Sequence, residues 1–250
     1  MVLIYPGALP SGALVRLTDG QKASPALSPV AEVWLDASTG VTLSGEGRAV
    51  GWTSRGPSAV RAMPVSGNPT GTDYLSDPPA LHFVAGENGG FRLSDAIADG
   101  AGLSFGLIVT PDLPEARTLM SLQPLDHEDY VFLSLEGMAL RLMRRGSDTT
   151  LTLNLPPDTR VPLLILCALT GGMARMAVNG GPAVSGPLLA ERGPADLFIG
   201  CRNDRKGMKN KLGGFDLSDV LVWPGQDVLA APGGLASVTA LWDDRCSRGI

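Results

Sequence analysis

Residues 126–130, Asp-His-Glu-Asp-Tyr, place side chains that can exchange protons within one short segment. In an extended segment Asp126 and Glu128 would face the same way, because alternate residues of a strand share a face. Retaining glycoside hydrolysis uses two carboxyl groups about 5 Å apart, so this pair is the candidate for such chemistry. We instead expect a solvated acidic turn before a strand, with Asp126, Glu128 and Tyr130 available to contact a ligand.

A second polar segment, residues 202–211, carries five basic side chains in a chain of formal net charge −5. A local positive patch could hold an acidic polysaccharide or dock onto an acidic protein surface, since arginine grips carboxylates in bidentate fashion. The alternative is a loop that charge merely keeps solvated. The candidate ligand-binding residues here are Arg202, Asn203, Asp204, Arg205 and Lys206.

Aromatic side chains that could stack on a sugar ring are scarce, because aromatics make up 5% of the sequence. Trp52 and Tyr74 lie in or beside polar segments and are the candidates for stacking. Trp52 has a second interpretation, as a structural residue of a sheet. Trp34 and Trp223 lie in apolar strand contexts, and we predict that they are core residues.

Metal and redox chemistry have little support in the sequence. Calcium is the alternative to no cofactor, because oxygen ligands could come from Asp126, Asp129, Asn203 and Asp204, although their spacing is not dense. The three cysteines are far apart and lack zinc spacing, which favours synthesis in a reducing cytoplasm without disulfides. Cys167 lies in an apolar run and is predicted to be buried.

Composition favours an all-β domain. Of 250 residues 44% are apolar, and the 32 glycines and 20 prolines recur between short apolar runs, as tight turns between strands require. The acidic balance argues against nucleic acid as a partner. The first residues carry no basic leader, and their apolar run stops at Pro6, so we expect neither an export signal nor membrane insertion.

The elements that must position these side chains are short strands. Apolar alternation and turn residues predict a strand, a charged loop and a second strand ending at Pro224 over 198–224, and further strands before it. These further strands are predicted at 33–38, 41–43, 49–54, 80–84, 103–110, 118–122, 130–135, 139–143, 150–155, 163–169 and 173–178. Residues 86–90 are typical of a hairpin turn. Helical spacing of apolar residues predicts one helix over 235–245.

The ordered set of these segments resembles the concanavalin A-like, laminin G-like jelly-roll domains. The resemblance covers residues 31–223 and depends on segments 33–37, 48–56, 79–83, 103–109, 177–180, 198–200 and 214–223. It implies an all-β, concanavalin A-like antiparallel β-sandwich (jelly roll) with an N-terminal arm and a short C-terminal helix. We assign residues 1–30 to the arm or a peripheral strand, 31–230 to the sandwich and 231–250 to the helix and tail.

The resemblance also implies functions. Members of the superfamily commonly bind carbohydrate, some hydrolyse it, and similar modules decorate phage particles. We predict a noncatalytic module that binds a cell-surface or capsular polysaccharide, as a spike, fibre or decoration protein of a virion or phage-like particle released by lysis. Its arm would contact other particle subunits. A purely structural subunit is the alternative. A glycoside hydrolase is the third hypothesis and ranks last: glucanases of this fold carry alternating acids on one strand, and this chain lacks such a run.

Overall fold

A computed structural model describes residues 30–113, 116–126, 128–204, 209–231 and 234–248. Within these ranges the chain forms the strands β1 (Val33–Asp36), β2 (Val41–Leu43), β3 (Arg48–Thr53), β4 (Arg61–Pro64), β5 (Thr72–Ser76), β6 (Pro79–Phe83), β7 (Phe91–Ile97), β8 (Leu103–Pro111), β9 (Arg117–Pro124), β10 (Val131–Glu136), β11 (Ala139–Arg144), β12 (Thr150–Asn154), β13 (Leu163–Thr170), β14 (Met173–Val178), β15 (Val184–Pro187), β16 (Ala195–Ile199) and β17 (Phe215–Pro224). A turn of 3-10 helix spans Lys209–Lys211, and helix α1 spans Gly234–Ser247. The predicted N-terminal arm lies outside the described residues, except for Val30.

The strands form two antiparallel sheets. The front sheet has the order β12-β11-β10-β9-β16-β7-β4-β3-β2. The back sheet has the order β15-β14-β13-β8-β17, with β1 and β6 paired along the other edge of β17. Strand β5 pairs with both β6 and β3 and so links the sheets. The all-β sandwich with a C-terminal helix is therefore confirmed.

The hairpin predicted at residues 86–90 is wrong. This segment leaves β6 in the back sheet and enters β7 in the front sheet, and β7 pairs with β16 and β4. The turn residues therefore change the direction of the chain between sheets.

The core lies between the inner faces of the sheets and contains leucines from both, among them Leu81, Leu107, Leu133, Leu197 and Leu217. Strand alternation places these side chains inward and their immediate neighbours on the outer faces of the sheets. The core thus fixes which face of each strand is open to solvent.

A β-bulge corrects the prediction for Trp52. Leu43 pairs with Ala49 while Thr42 pairs with Gly51, so β3 carries one extra residue. The extra residue resets the alternation, and Ala49 and Trp52, three positions apart, both enter the core. Trp52 is 0% exposed and cannot stack on a sugar. It is a core residue.

Helix α1 covers the outer face of the back sheet. Val238, Leu241 and Trp242 pack on an apolar patch that includes Leu164 and Leu221. Trp34 and Trp223 are buried in the same cluster, as their apolar sequence contexts predicted. No helix in the described ranges is long and apolar enough to cross a membrane.

Candidate functional site

A polar cleft of about 270 Å³ opens on the outer face of the front sheet. It is lined by Arg92, Gln123, Pro124, Leu125, Glu128, Arg145, Asp196, Phe198, Asn203 and Asp204. The lining brings together the two polar segments that the sequence singled out, although about 75 residues separate them. Its volume lies just below the ~300–1,000 Å³ of sites for drug-sized ligands, which suits a small ligand.

Strand register builds the floor of this cleft. Asp196 of β16 pairs with Gln123 of β9, and Phe198, two residues further along β16, pairs with Arg92 of β7. Arg92 and Asp196 are therefore diagonal neighbours on one face, and an Nη2–Oδ2 distance of 2.7 Å joins them in an ion pair. The register between β16 and β7 is irregular between Ala195 and Leu197, so the ladder is interrupted beside Asp196. Such irregularities often lie beside functional sites.

Two atoms of this ion pair are buried without a hydrogen bond to any described residue. They are Oδ1 of Asp196 and Nε of Arg92. Asp196 is only 5% exposed, and a buried polar atom without a partner costs on the order of 1–3 kcal/mol. An unpaired acceptor and an unpaired donor therefore occur on two neighbouring residues that line the cleft. Both atoms are closed to solvent, so a ligand would reach them only after a movement of the side chains.

The first loop contributes Leu125 and Glu128 to the rim. Glu128 is exposed, and Arg145 donates from Nη1 to its Oε2 at 3.3 Å and to its carbonyl oxygen at 3.1 Å. Asp126 and Glu128 lie in bends, before β10 begins at Val131. The extended geometry that would align them as a catalytic pair is therefore absent, and the expected acidic turn is what forms.

Tyr130 follows this turn but is largely buried, which corrects its prediction as an open ligand contact. Its ring packs against Phe132 at 5.7 Å between centroids, and the Arg145 guanidinium lies 5.6 Å from its centroid. The aromatic ring thus supports the arginine of the rim.

The second loop folds back over the sheet. Ser121 donates from Oγ to the carbonyl oxygen of Arg202 at 2.7 Å, and the Ser66 amide donates to Oδ1 of Asp204 at 2.8 Å. These bonds bring Asn203 and Asp204 to the cleft.

Arg202 has a different position from the one predicted. Its guanidinium lies 3.8 Å from the Phe132 ring centroid, and its Nε donates to Oγ1 of Thr118 at 3.1 Å. It holds the loop on the sheet and does not line the cleft. Arg205 and Lys206 lie outside the described residues.

Tyr74 lies away from the cleft, and its ring packs against the core. Its hydroxyl donates to the Ala37 carbonyl oxygen at 3.1 Å. Burial and the nearby charge of Asp36 raise the pKa of Tyr74 above its ordinary value. A structural role therefore replaces the stacking role that the sequence predicted.

Sequence reasoning missed the floor of the cleft. Asp196 is a carboxylate within the otherwise apolar strand Ala195–Ile199, a signal that could have marked it. Arg92 alternates with Phe91 and Leu93, and this pattern predicts an outward side chain. Their proximity depends on pairing between β7 and β16, which are about 100 residues apart, and no local pattern supplies it.

Among the described residues, no group of three or more His, Cys, Asp or Glu side chains could hold a metal ion. The calcium alternative at Asp126, Asp129, Asn203 and Asp204 therefore gains no support from this part of the chain.

A separate cleft of about 410 Å³ lies beside His82 and Asp216 in the back sheet. Nδ1 of His82 is 2.6 Å from Oδ1 of Asp216, and strand pairing places the two residues opposite each other. Because these polar side chains already partner each other, this cleft is a weaker candidate than the one at Asp196.

No protein-family model and no curated protein matches this sequence. The fold is nevertheless similar to solved structures. Trypanosoma rangeli sialidase in complex with 2,3-difluoro-KDN aligns with a TM-score of 0.59 and 12% identity, over 96% of this chain and 36% of that chain. The same sialidase in complex with sialic acid aligns with a TM-score of 0.57 and 12% identity, over 86% of this chain and 33% of that chain.

The native heptameric SAP-like pentraxin from Limulus polyphemus aligns with a TM-score of 0.50 and 14% identity, over 64% of this chain and 81% of that chain. This chain spans about a third of the length of the sialidase chains. At these identities the comparisons establish a shared jelly-roll β-sandwich fold.

Proposed function

We propose that this chain binds carbohydrate, without covalent chemistry, in the cleft at Arg92 and Asp196. The observation that carries the proposal is the buried pair of unpartnered atoms, Asp196 Oδ1 and Arg92 Nε. A sugar hydroxyl can donate one hydrogen bond and accept others, so adjacent hydroxyls supply both missing partners after a small side-chain movement.

The apolar part of the lining suits the C–H face of a sugar. Leu125 is 52% exposed at the rim, beside Pro124. Phe198, the aromatic residue of the lining, is buried beneath the surface and offers no stacking platform. With hydrogen bonds as the main contacts, we expect a single saccharide to bind in the millimolar range, roughly 4 kcal/mol, and several linked sites to bind far more tightly.

The absence of catalysis is part of the proposal and is supported by the acidic turn. Asp126 and Glu128 lie in bends, and Glu128 is bonded to Arg145. Elsewhere Asp36 and Asp219 approach a common arginine, but both are 0% exposed and out of reach of a substrate. The sialidase structures in complex with sialic acid and 2,3-difluoro-KDN share the fold with this chain, and at 12% identity the similarity does not transfer a reaction.

A role in a virion or phage-like particle, with polysaccharide on a host surface as the ligand, stays a prediction from the sequence resemblance. Electron microscopy of particles purified from the source cells, with an antibody against this chain, tests it. A purely structural role would give labelled particles and no saccharide binding by the purified chain.

The test of the proposed site is a glycan array followed by calorimetric titration, with and without calcium, on the full chain. Asp196→Ala and Arg92→Ala should each weaken binding at least about tenfold, because each removes one of the two groups that would bond the ligand. Asp243→Ala in α1 and Arg248→Ala directly after α1 are matched controls, because both residues are exposed and each makes an ion pair outside the cleft. Binding that survives both cleft substitutions, in folded protein, would refute this location.

A further inference from the structure

We infer that the cleft selects a neutral saccharide with adjacent hydroxyl groups over an acidic one such as a uronic or sialic acid. The inference rests on the proposed function and defines its ligand class. It departs from the expectation that a basic loop would hold an acidic polysaccharide.

The charges of the described lining support a neutral ligand. Three carboxylates, Glu128, Asp196 and Asp204, outnumber the guanidinium groups of Arg92 and Arg145. Both arginines are already paired, Arg92 with Asp196 at 2.7 Å and Arg145 with Glu128 at 3.3 Å. A ligand carboxylate could accept from Arg92 Nε, but a protein carboxylate already balances the charge of each arginine, so the ligand would add a further negative charge to the cleft.

Arg202, the arginine of this loop that the structure describes, does not change the charge balance of the described lining. Arg202 is directed over the Phe132 ring and bonds Thr118, outside the lining. A ligand anion would have to break these contacts in order to use its charge.

The unpaired atoms favour hydroxyl groups for a geometric reason. Asp196 Oδ1 accepts only, and Arg92 Nε donates only. Two neighbouring ring hydroxyls can give a hydrogen to the first atom and accept one from the second. A carboxylate group in this position only accepts, so it would leave Asp196 Oδ1 unsatisfied. A uronate that binds through its ring hydroxyls instead still brings its negative charge close to the carboxylates of the cleft.

Paired probes that differ at one position test the inference. The methyl glycosides of glucose and galactose are compared by titration calorimetry with those of glucuronic and galacturonic acid, and sialic acid is included. We expect each neutral sugar to bind about tenfold more tightly than its acidic counterpart, with little change between low and high salt, since no net charge is neutralised.

A variant that removes one negative charge from the rim tests the electrostatic argument, because a purely structural effect would change the affinities for neutral and acidic sugars alike. Glu128→Gln keeps the shape of the rim and removes the negative charge that pairs with Arg145, so the ratio of uronate affinity to neutral-sugar affinity should rise several-fold. Glu136→Gln is the matched control, because Glu136 makes a comparable 3.3 Å ion pair with Arg141, and neither residue lines the cleft.

The outcomes separate the two proposals. Acidic sugars that bind as well as neutral ones, or whose binding falls steeply with salt, would overturn the selectivity and leave carbohydrate binding standing. Preference for neutral sugars that Glu128→Gln leaves unchanged would overturn the electrostatic argument. If none of these saccharides, and nothing on the array, binds the folded chain, both proposals fall.

Discussion

Replacement of Arg245 by methionine should destabilise this fold more than any surface substitution. Arg245 lies in α1, is 1% exposed and donates to both oxygens of Asp219, at 2.8 and 2.9 Å. Its Nη2 also lies 2.7 Å from Oδ1 of Asp36. Methionine keeps much of the side-chain length and removes the charge that two buried carboxylates share.

The expected loss follows from what each carboxylate retains. Asp36 keeps Arg55, whose Nη1 lies 2.6 Å from its Oδ2, and two bonds from Ser38. Among the described side chains, Asp219 keeps only the bond from Nε1 of Trp34 at 2.9 Å. Removal of one partner from a buried ion pair costs about 3–5 kcal/mol. We expect a decrease of that size in the free energy of unfolding, a large part of the ~5–15 kcal/mol typical of a domain.

Urea unfolding followed by tryptophan fluorescence measures this decrease, because all four tryptophans are buried in the folded chain. Asp243→Ala is the matched control in α1: Asp243 makes an exposed ion pair with Arg160, and its removal should cost less than about 1 kcal/mol. A loss below 1 kcal/mol for Arg245→Met would refute the assigned role of this network.

The pH dependence of the loss gives a second test. Burial raises the pKa of Asp219, and Arg245 opposes the rise. Without Arg245 the pKa of Asp219 should rise further. An acid whose pKa is raised on folding stabilises the fold most below its unfolded pKa and loses this contribution as pH rises. The deficit of Arg245→Met should therefore be smaller near pH 4 than at pH 7, and an equal deficit at both would contradict the argument.

Two further predictions concern buried side chains. Trp52→Ala should lower the free energy of unfolding by about 3–5 kcal/mol in the same urea assay. Trp52→Phe should lower it less, because phenylalanine keeps most of the packing and removes an indole N–H that has no partner among the described residues. Equal losses for the two variants would contradict this account. Burial raises the pKa of the Cys167 thiol, and burial together with the Asp204 charge raises that of Cys201 to about 12. At pH 8 a thiol reagent should therefore label only Cys246 in the folded chain and all three cysteines in urea, and rapid labelling of a second thiol would contradict the assigned burial.

Much of the sandwich could be predicted from local patterns. Apolar alternation and turn residues located β2 and β14 at their observed bounds, and β13 within one residue. Strands β4, β5, β7 and β15 were missed for different reasons. Thr72–Ser76 is mostly polar, while Phe91–Ile97 alternates clearly but follows a glycine-rich segment that was interpreted as a hairpin turn.

The site was predictable only in its loops. Their polarity marked Glu128, Asn203 and Asp204, which do line the cleft. The floor depends on which strands become neighbours, and Trp52 depends on a bulge, because one inserted residue reverses the face of every residue after it. Non-local pairing and bulges are tertiary facts that a single sequence does not encode in any short window.

The two outer faces of the sandwich differ in a way that favours the front sheet for the proposed binding site. The back sheet presents Ile108, Leu164 and Leu221 outward, and this apolar face must be covered, which α1 does through Val238 and Leu241. The front sheet presents Arg92, Asp196 and Gln123 instead, and a loop covers it only in part. Polar groups on the front sheet lack hydrogen-bond partners, whereas the helix and the ion-pair network cover the back sheet. We therefore assign stability to the back face and the proposed ligand recognition to the front face. Substitutions at Arg245 and at Asp196 share no described contact, so their effects on unfolding and on binding should be separable.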